Sequence, residues 1–181
     1  MSVQIASLPT RERLIRAGVE LFQARGYHGV GMVEILATAA APKGSFYHHF
    51  PGGKEQLAVE ALAWLEGEVT AYLDDLAGRG ASARDMAAGI ARHAVEGVRK
   101  RPRGTLLSVL TQDAAPESEA VAAAVRRYAD TLRSRLAAAA ADETFADEAL
   151  AIILGAAVIA RMEGQAERAA EIVEAWLENR T

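Results

Sequence analysis

The feature that most narrows the fold is the placement of glycine and proline. Gly26, the run Pro51-Gly52-Gly53, the Gly78/Gly80 pair, Pro102 and Pro116 cut the chain into segments. Within the segments apolar residues recur three and four positions apart, the period of an amphipathic helix. Alanine runs through them beside Leu, Glu and Arg, which lose little rotamer freedom on a helix. No stretch alternates apolar and polar residues as a strand would. The pattern predicts an all-α fold of about nine helices. These run from about Thr10, as N-cap, to Gly26; from Met32 to Ala39; across "PKGSFYHHF" from about Pro42; and from Lys54 to Gly78. They continue from Ser82 to Arg101, Thr105 to Thr111, Glu119 to Ala141, Phe145 to Glu163 and Gln165 to Asn179. Three short helices before a long one predict a small N-terminal domain over 1–56 and a larger helical bundle over 57–181.

Charge separates the same two parts. Residues 1–54 hold six Lys or Arg against three Glu, whereas 55–181 hold fourteen against twenty-one Asp or Glu, so a net charge of −4 hides a basic N-terminal end. A local basic patch, not overall charge, is what a polyanion requires. The chain has no Cys, which removes disulfides, thiolate metal sites and thiol nucleophiles. "MSVQIASLPT" has no signal-peptide pattern and reads as a short arm before the first helix. The longest apolar run, "ALAIILGAAVIA" at 149–160, is too short to span a bilayer. The expectation is a cytoplasmic protein without a membrane partner.

One stretch departs from the Ala-rich background. "KGSFYHHFPGGK", residues 43–54, crowds two Phe, one Tyr, two His and two Lys together. At about 100° per helical residue, Phe46 and Phe50 share one face, and His48 stands opposite between Gly44 and Ser45. Tyr47 and His49 flank the apolar face as shoulders. Such a helix suits a major groove, with a low ridge toward base edges and hydrogen-bonding shoulders toward phosphates. Rival chemistries fit poorly. Adjacent His48 and His49 diverge on a helix and do not chelate as an i, i+4 pair would. Glu55 after Lys54 breaks the phosphate-loop pattern, and "KGSFY" is not a nucleophile elbow. No enzyme and no cofactor is expected.

The order "TRERLIRAGVELFQARGY", a short helix, then "APKGSFYHHFPGGKEQL" resembles the DNA-binding domain of the TetR family of bacterial transcriptional repressors, over roughly residues 10–57. The "HHFPGGKE" form is similar to the subgroup containing flavonoid- and lincomycin-responsive repressors. The resemblance implies base-facing positions at Lys43, Gly44, Ser45 and His48, and phosphate or groove-edge positions at Tyr47, His49 and Lys54. Arg11, Arg13 and Arg16 are candidates for further contacts. Two departures stand out. Ala40 occupies the place of the glycine usual in the helix-helix turn, and Gly31-Met32 replaces a Thr-rich start to the second helix.

The resemblance also implies a bundle that dimerises and encloses an effector pocket. The 149–160 helix is apolar almost all round, and "QAERAAEIVEAWLENR" carries an apolar stripe, so the two predict a two-fold four-helix interface. Its candidates are Ile152, Ile153, Ala156, Ile159, Ala169, Ile172, Val173 and Trp176. Pocket candidates are Trp64, Tyr72, Met86, His93, Leu106, Leu110, Gln112, Tyr128 and Met162. The expected function is a homodimeric repressor that binds a palindromic double-stranded operator and is released by a small lipophilic effector. The alternative is a small-molecule-binding or interaction protein on the same scaffold that binds no operator.

Overall fold

The computed structural model describes residues 8–100 and 103–179, which leaves the predicted N-terminal arm up to Ser7, and Arg101 at the expected end of the fifth helix, outside the described residues. Among those described there are nine helices and no strand: α1 (Thr10–Arg25), α2 (Met32–Thr38), α3 (Ser45–His49), α4 (Gly53–Gly78), α5 (Ala83–Lys100), α6 (Leu106–Asp113), α7 (Glu119–Ala140), α8 (Glu143–Glu163) and α9 (Glu167–Glu178). None of them is long and apolar enough to cross a membrane. Most expected starts shift by one or two residues, α8 opening at Glu143 rather than Phe145 and α9 at Glu167 rather than Gln165. Thr10 is the first helical residue rather than the cap, a place taken by Pro9. α3 begins at Ser45 rather than Pro42, because the Ser45 N–H and hydroxyl both donate to the Pro42 carbonyl, at 3.0 and 2.7 Å, and close a turn there first.

The helices gather into two compact units, the first running to residue 65 and taking in 106–125, the second made of 66–105 with residues from 126 onward. In the first, α1 packs on α2, α3 and α6. Leu14, Phe22, Ile35, Phe46, Phe50, Leu57, Leu62, Leu106 and Leu110 are wholly buried there. Each such side chain contributes about 1.5–3 kcal/mol by leaving water. Gly18 lets α4 come close, since a Cβ there would lie 3.1 Å from the Leu57 Cδ2.

The turn from α2 to α3 depends on Ala40, whose φ is 47°. That left-handed conformation brings Cβ against the following carbonyl and costs about 1–2 kcal/mol. The turn forms nonetheless, because the Arg13 guanidinium holds its carbonyls, with Nε donating to Ala39 O at 2.9 Å and Nη2 to Ala40 O at 3.3 Å. The same group reaches Leu8 O at 3.2 Å and Thr10 Oγ1 at 3.4 Å, tying the turn to the start of α1. Ala40→Gly is expected to stabilise the protein by up to about 1 kcal/mol, the relief of strain less the added freedom of the unfolded chain. A urea midpoint that stays put or falls would contradict a strained Ala40.

In the second unit α5, α8 and α9 pack on one another. Small residues of α8, namely Ala146, Ala149, Ala156, Ala157 and Ala160, are buried and let its neighbours approach. On α5 the Tyr72 ring from α4 lies against Gly89, where a Cβ would sit 2.9 Å from the phenol oxygen. α5 starts with a reciprocal cap: Ser82 N–H and Oγ–H donate to the Asp85 carboxylate at 2.9 and 2.6 Å, and Asp85 N–H returns to Ser82 Oγ at 3.2 Å. These bonds lower the Asp85 pKa. Glu66 on α4 accepts from Arg127 Nε at 3.2 Å and Thr131 Oγ1 at 2.6 Å, which fixes α4 against α7.

Candidate nucleic-acid interface

Helix α3 is short, and its orientation comes from two side chains. Phe46 and Phe50 are wholly buried, with ring centroids 5.5 Å apart. They fix which way the rest of the helix points. Tyr47 is 59% exposed, and its ring meets Phe46 edge-on at 5.7 Å, so a rigid base carries an outward phenol. Lys43, Gly44 and His48 are exposed as well, while Ser45 and His49 are half-buried. A Cβ on Gly44 would meet nothing within 4 Å, so the ridge is open at that point. The His48 and His49 rings contact edge-on at 5.1 Å instead of converging on a common point.

Lys54 sits differently from the other six. Its ammonium donates to the carbonyls of Tyr27 and Val30, both at 3.1 Å, and lies 4.4 Å from the centre of the Tyr27 ring. Desolvation lowers its pKa. Two of its three N–H groups thus fasten the loop between α1 and α2. The same loop is held from another side. Tyr27 N–H donates to Asp113 Oδ2 at 2.9 Å, and His28 Nε2 donates to Asp113 O at 2.6 Å. Nothing in the sequence announced this, because Asp113 lies far along the chain and belongs to no motif with the loop.

The three arginines named as candidates for further contacts all make bonds within the protein. Arg11 pairs with Glu60 and lies 5.8 Å from the Phe50 ring centre. Arg16 pairs with Glu12 at 2.8 Å and lies 5.2 Å from the Trp64 ring, so Trp64 serves α1. Arg13 clamps the α2–α3 turn. At the start of α2, Glu34 turns back to accept from Gly31 N–H at 3.3 Å and pairs with Arg25. Val33 stands beside it, 73% exposed.

The pocket candidates do not gather. Trp64, Leu106 and Leu110 belong to the first unit, the two leucines in its core. His93, Gln112 and Met162 are surface residues, Met162 being 80% exposed, because their helices turn them away from the core. Met86 and Tyr128 are buried in the second unit, where the Tyr72 and His93 rings meet at a tilt with centroids 4.7 Å apart. Burial, with Glu66 nearby, pushes the Tyr128 hydroxyl well above the usual phenol range.

Of the dimer candidates, Ile153, Ala156, Ala169 and Val173 are buried in the chain's own core, where α8 and α9 meet each other and α5. They leave no surface for a partner. Ile152, Ile172 and Trp176 are half-buried, the last with its ring 5.4 Å from Phe145, and Ile159 is exposed.

Comparison with known proteins places this arrangement. The family model for "Bacterial regulatory proteins, tetR family" matches residues 14–61, the segment from mid-α1 into α4. The HTH-type transcriptional regulator LmrA of Bacillus subtilis is 32% identical over 153 residues, covering 80% of each chain. A TetR transcriptional regulator from Legionella pneumophila superposes with a TM-score of 0.82 over 95% of this chain and 97% of its own, at 17% identity, which speaks for the fold alone. A variant of the TetR family regulator CifR, solved with a 26 bp double-stranded operator, superposes with a TM-score of 0.71 at 28% identity, covering 92% of this chain and 94% of that one.

Proposed function

Because this chain belongs to the TetR family of bacterial regulatory proteins, and is a transcriptional regulator and not an enzyme, we propose that it represses transcription as a homodimer on a palindromic operator. The observation that carries this reading is the division of α3. Phe46 and Phe50 are sealed in the core while Lys43, Gly44, Tyr47 and His48 are exposed. In a major groove, His48 and Gly44 face base edges, and Tyr47 and His49 reach phosphates. CifR is bound to operator DNA in its complex. The basic balance of residues 1–54 suits the same partner. We place the protein in the cytoplasm, with the DNA.

Dimerisation follows from the outer face of α8. Ile152, Gly155, Ile159 and Met162 recur at helical spacing on that face, and Ile159 and Met162 are 41% and 80% exposed. A Cβ on Gly155 would meet nothing within 4 Å of this chain, so the glycine leaves room for a second helix. Release would come from a small lipophilic effector held in the second unit near Met86, Tyr72 and Tyr128. With no cysteine, no thiol can carry the signal. The effector must therefore bind the conformation that does not fit DNA more tightly than the one that does.

The test is a titration against one selected duplex and a scrambled one across a range of salt. Specific binding should exceed non-specific binding by about a thousandfold or more and weaken steeply as salt rises. Tyr47→Ala should weaken both duplexes by a similar factor and leave the salt dependence unchanged, because a neutral phenol displaces no counterion, whereas His48→Ala should change the preferred sequence. Equal affinity for both duplexes at every salt would remove the operator reading.

A further inference from the structure

The hydroxyl of Ser45 has one proton, and the structure shows where it goes. Ser45 Oγ lies 2.7 Å from the Pro42 carbonyl oxygen. A carbonyl oxygen only accepts, so the hydroxyl must be the donor. The Ser45 N–H donates to the same oxygen at 3.0 Å, so one carbonyl fixes both the main chain and the side chain of the residue that opens α3. What Ser45 has left to offer is two lone pairs.

That direction limits what the side chain can recognise. Phosphate oxygens accept, as do guanine O6 and N7 and thymine O4. To bond any of them the hydroxyl would have to give up the Pro42 carbonyl, whereas a donor can be met with that bond kept. In the major groove the donors are the exocyclic amino groups, cytosine N4 and adenine N6. We propose that Ser45 is a specificity-determining residue that accepts a hydrogen bond from a cytosine N4 or adenine N6 amino group in each operator half-site. The assignment rests on the operator-binding reading above. It makes Ser45 a reader of sequence, and it excludes a simple phosphate anchor. The neighbourhood is consistent: Gly44 puts no Cβ between Ser45 and the groove, and the half-buried Ser45 lies between the core face and His48.

The experiment begins by enriching a duplex from a randomised pool with the full-length wild-type protein. Each adenine in the enriched half-site is then replaced by purine, and each cytosine by pyrimidin-2-one, analogues without the amino group. Wild type, Ser45→Ala and Ser45→Thr are titrated against the series, after thermal melting confirms that all three fold. At one position per half-site, wild type and Ser45→Thr should lose about three- to tenfold in affinity and Ser45→Ala should lose nothing further, one neutral hydrogen bond being at stake. If every analogue affects wild type and Ser45→Ala alike, Ser45 reads no amino group. If Ser45→Ala weakens enriched and scrambled duplexes by the same factor, the contact is to phosphate and the assignment is wrong. A wild-type protein that enriches no sequence removes the operator reading itself, and Ser45 loses its role with it.

Discussion

Ile159→Glu is expected to give a folded monomer whose affinity for the operator falls by about a hundredfold or more. Ile159 is 41% exposed on the outer face of α8, so a carboxylate there is solvated in the lone chain and costs little stability. In a dimer it would be buried against its own symmetry copy, where two like charges repel and lose water. Losing the dimer separates the two recognition helices, and the second half-site no longer benefits from the binding of the first. Light scattering and a melting curve on the same sample check both halves. A persistent dimer would show that this face is not the interface. The contrast with Ile153, 3% exposed on the same helix, sharpens the result. Glutamate there sits in the chain's own core and should unfold the second unit regardless of oligomeric state.

Arg13→Ala should lower stability by about 2–3 kcal/mol without any DNA present, a sum over hydrogen bonds from a charged donor to carbonyls that then lose their partner. The guanidinium holds Ala39 O, Ala40 O, Leu8 O and Thr10 Oγ1, and Ala40 is the residue with the unfavourable φ. Arg13→Lys should recover only part of the loss, since a single ammonium cannot span that fork of acceptors. An unchanged denaturation midpoint accompanied by weaker operator binding would mean that Arg13 is a DNA contact after all.

The sequence made the helices legible because their signals are local. The breakers at Gly26 and Gly78 and the apolar spacing between them act within a turn or two, and the helix boundaries follow them closely. The inner and outer sides of α3 were legible for the same reason, from the four-residue separation of Phe46 and Phe50. The partners of the cations were not. Arg13, Lys54 and the 26–31 loop find their acceptors through tertiary proximity, and a basic residue beside a recognition helix looks the same in sequence whether it faces DNA or a carbonyl. The face of α8 was hidden by its composition. A helix apolar almost all round gives no angle from which to separate Ile153, turned inward, from Ile159, turned outward.

The joining of the 26–31 loop to Asp113 bears on how this protein can be cut and recombined. The first compact unit is continuous in space but broken along the chain, its core completed by Leu106 and Leu110 and its loop anchored by Asp113. The DNA-reading end is therefore not a portable cassette that ends where its sequence motif ends. A chimera that grafts residues 1–56 onto another regulator would leave behind Leu57 and Leu62 as well as the whole of α6. The exchangeable piece is the spatial unit, and it must carry 106–125 with it.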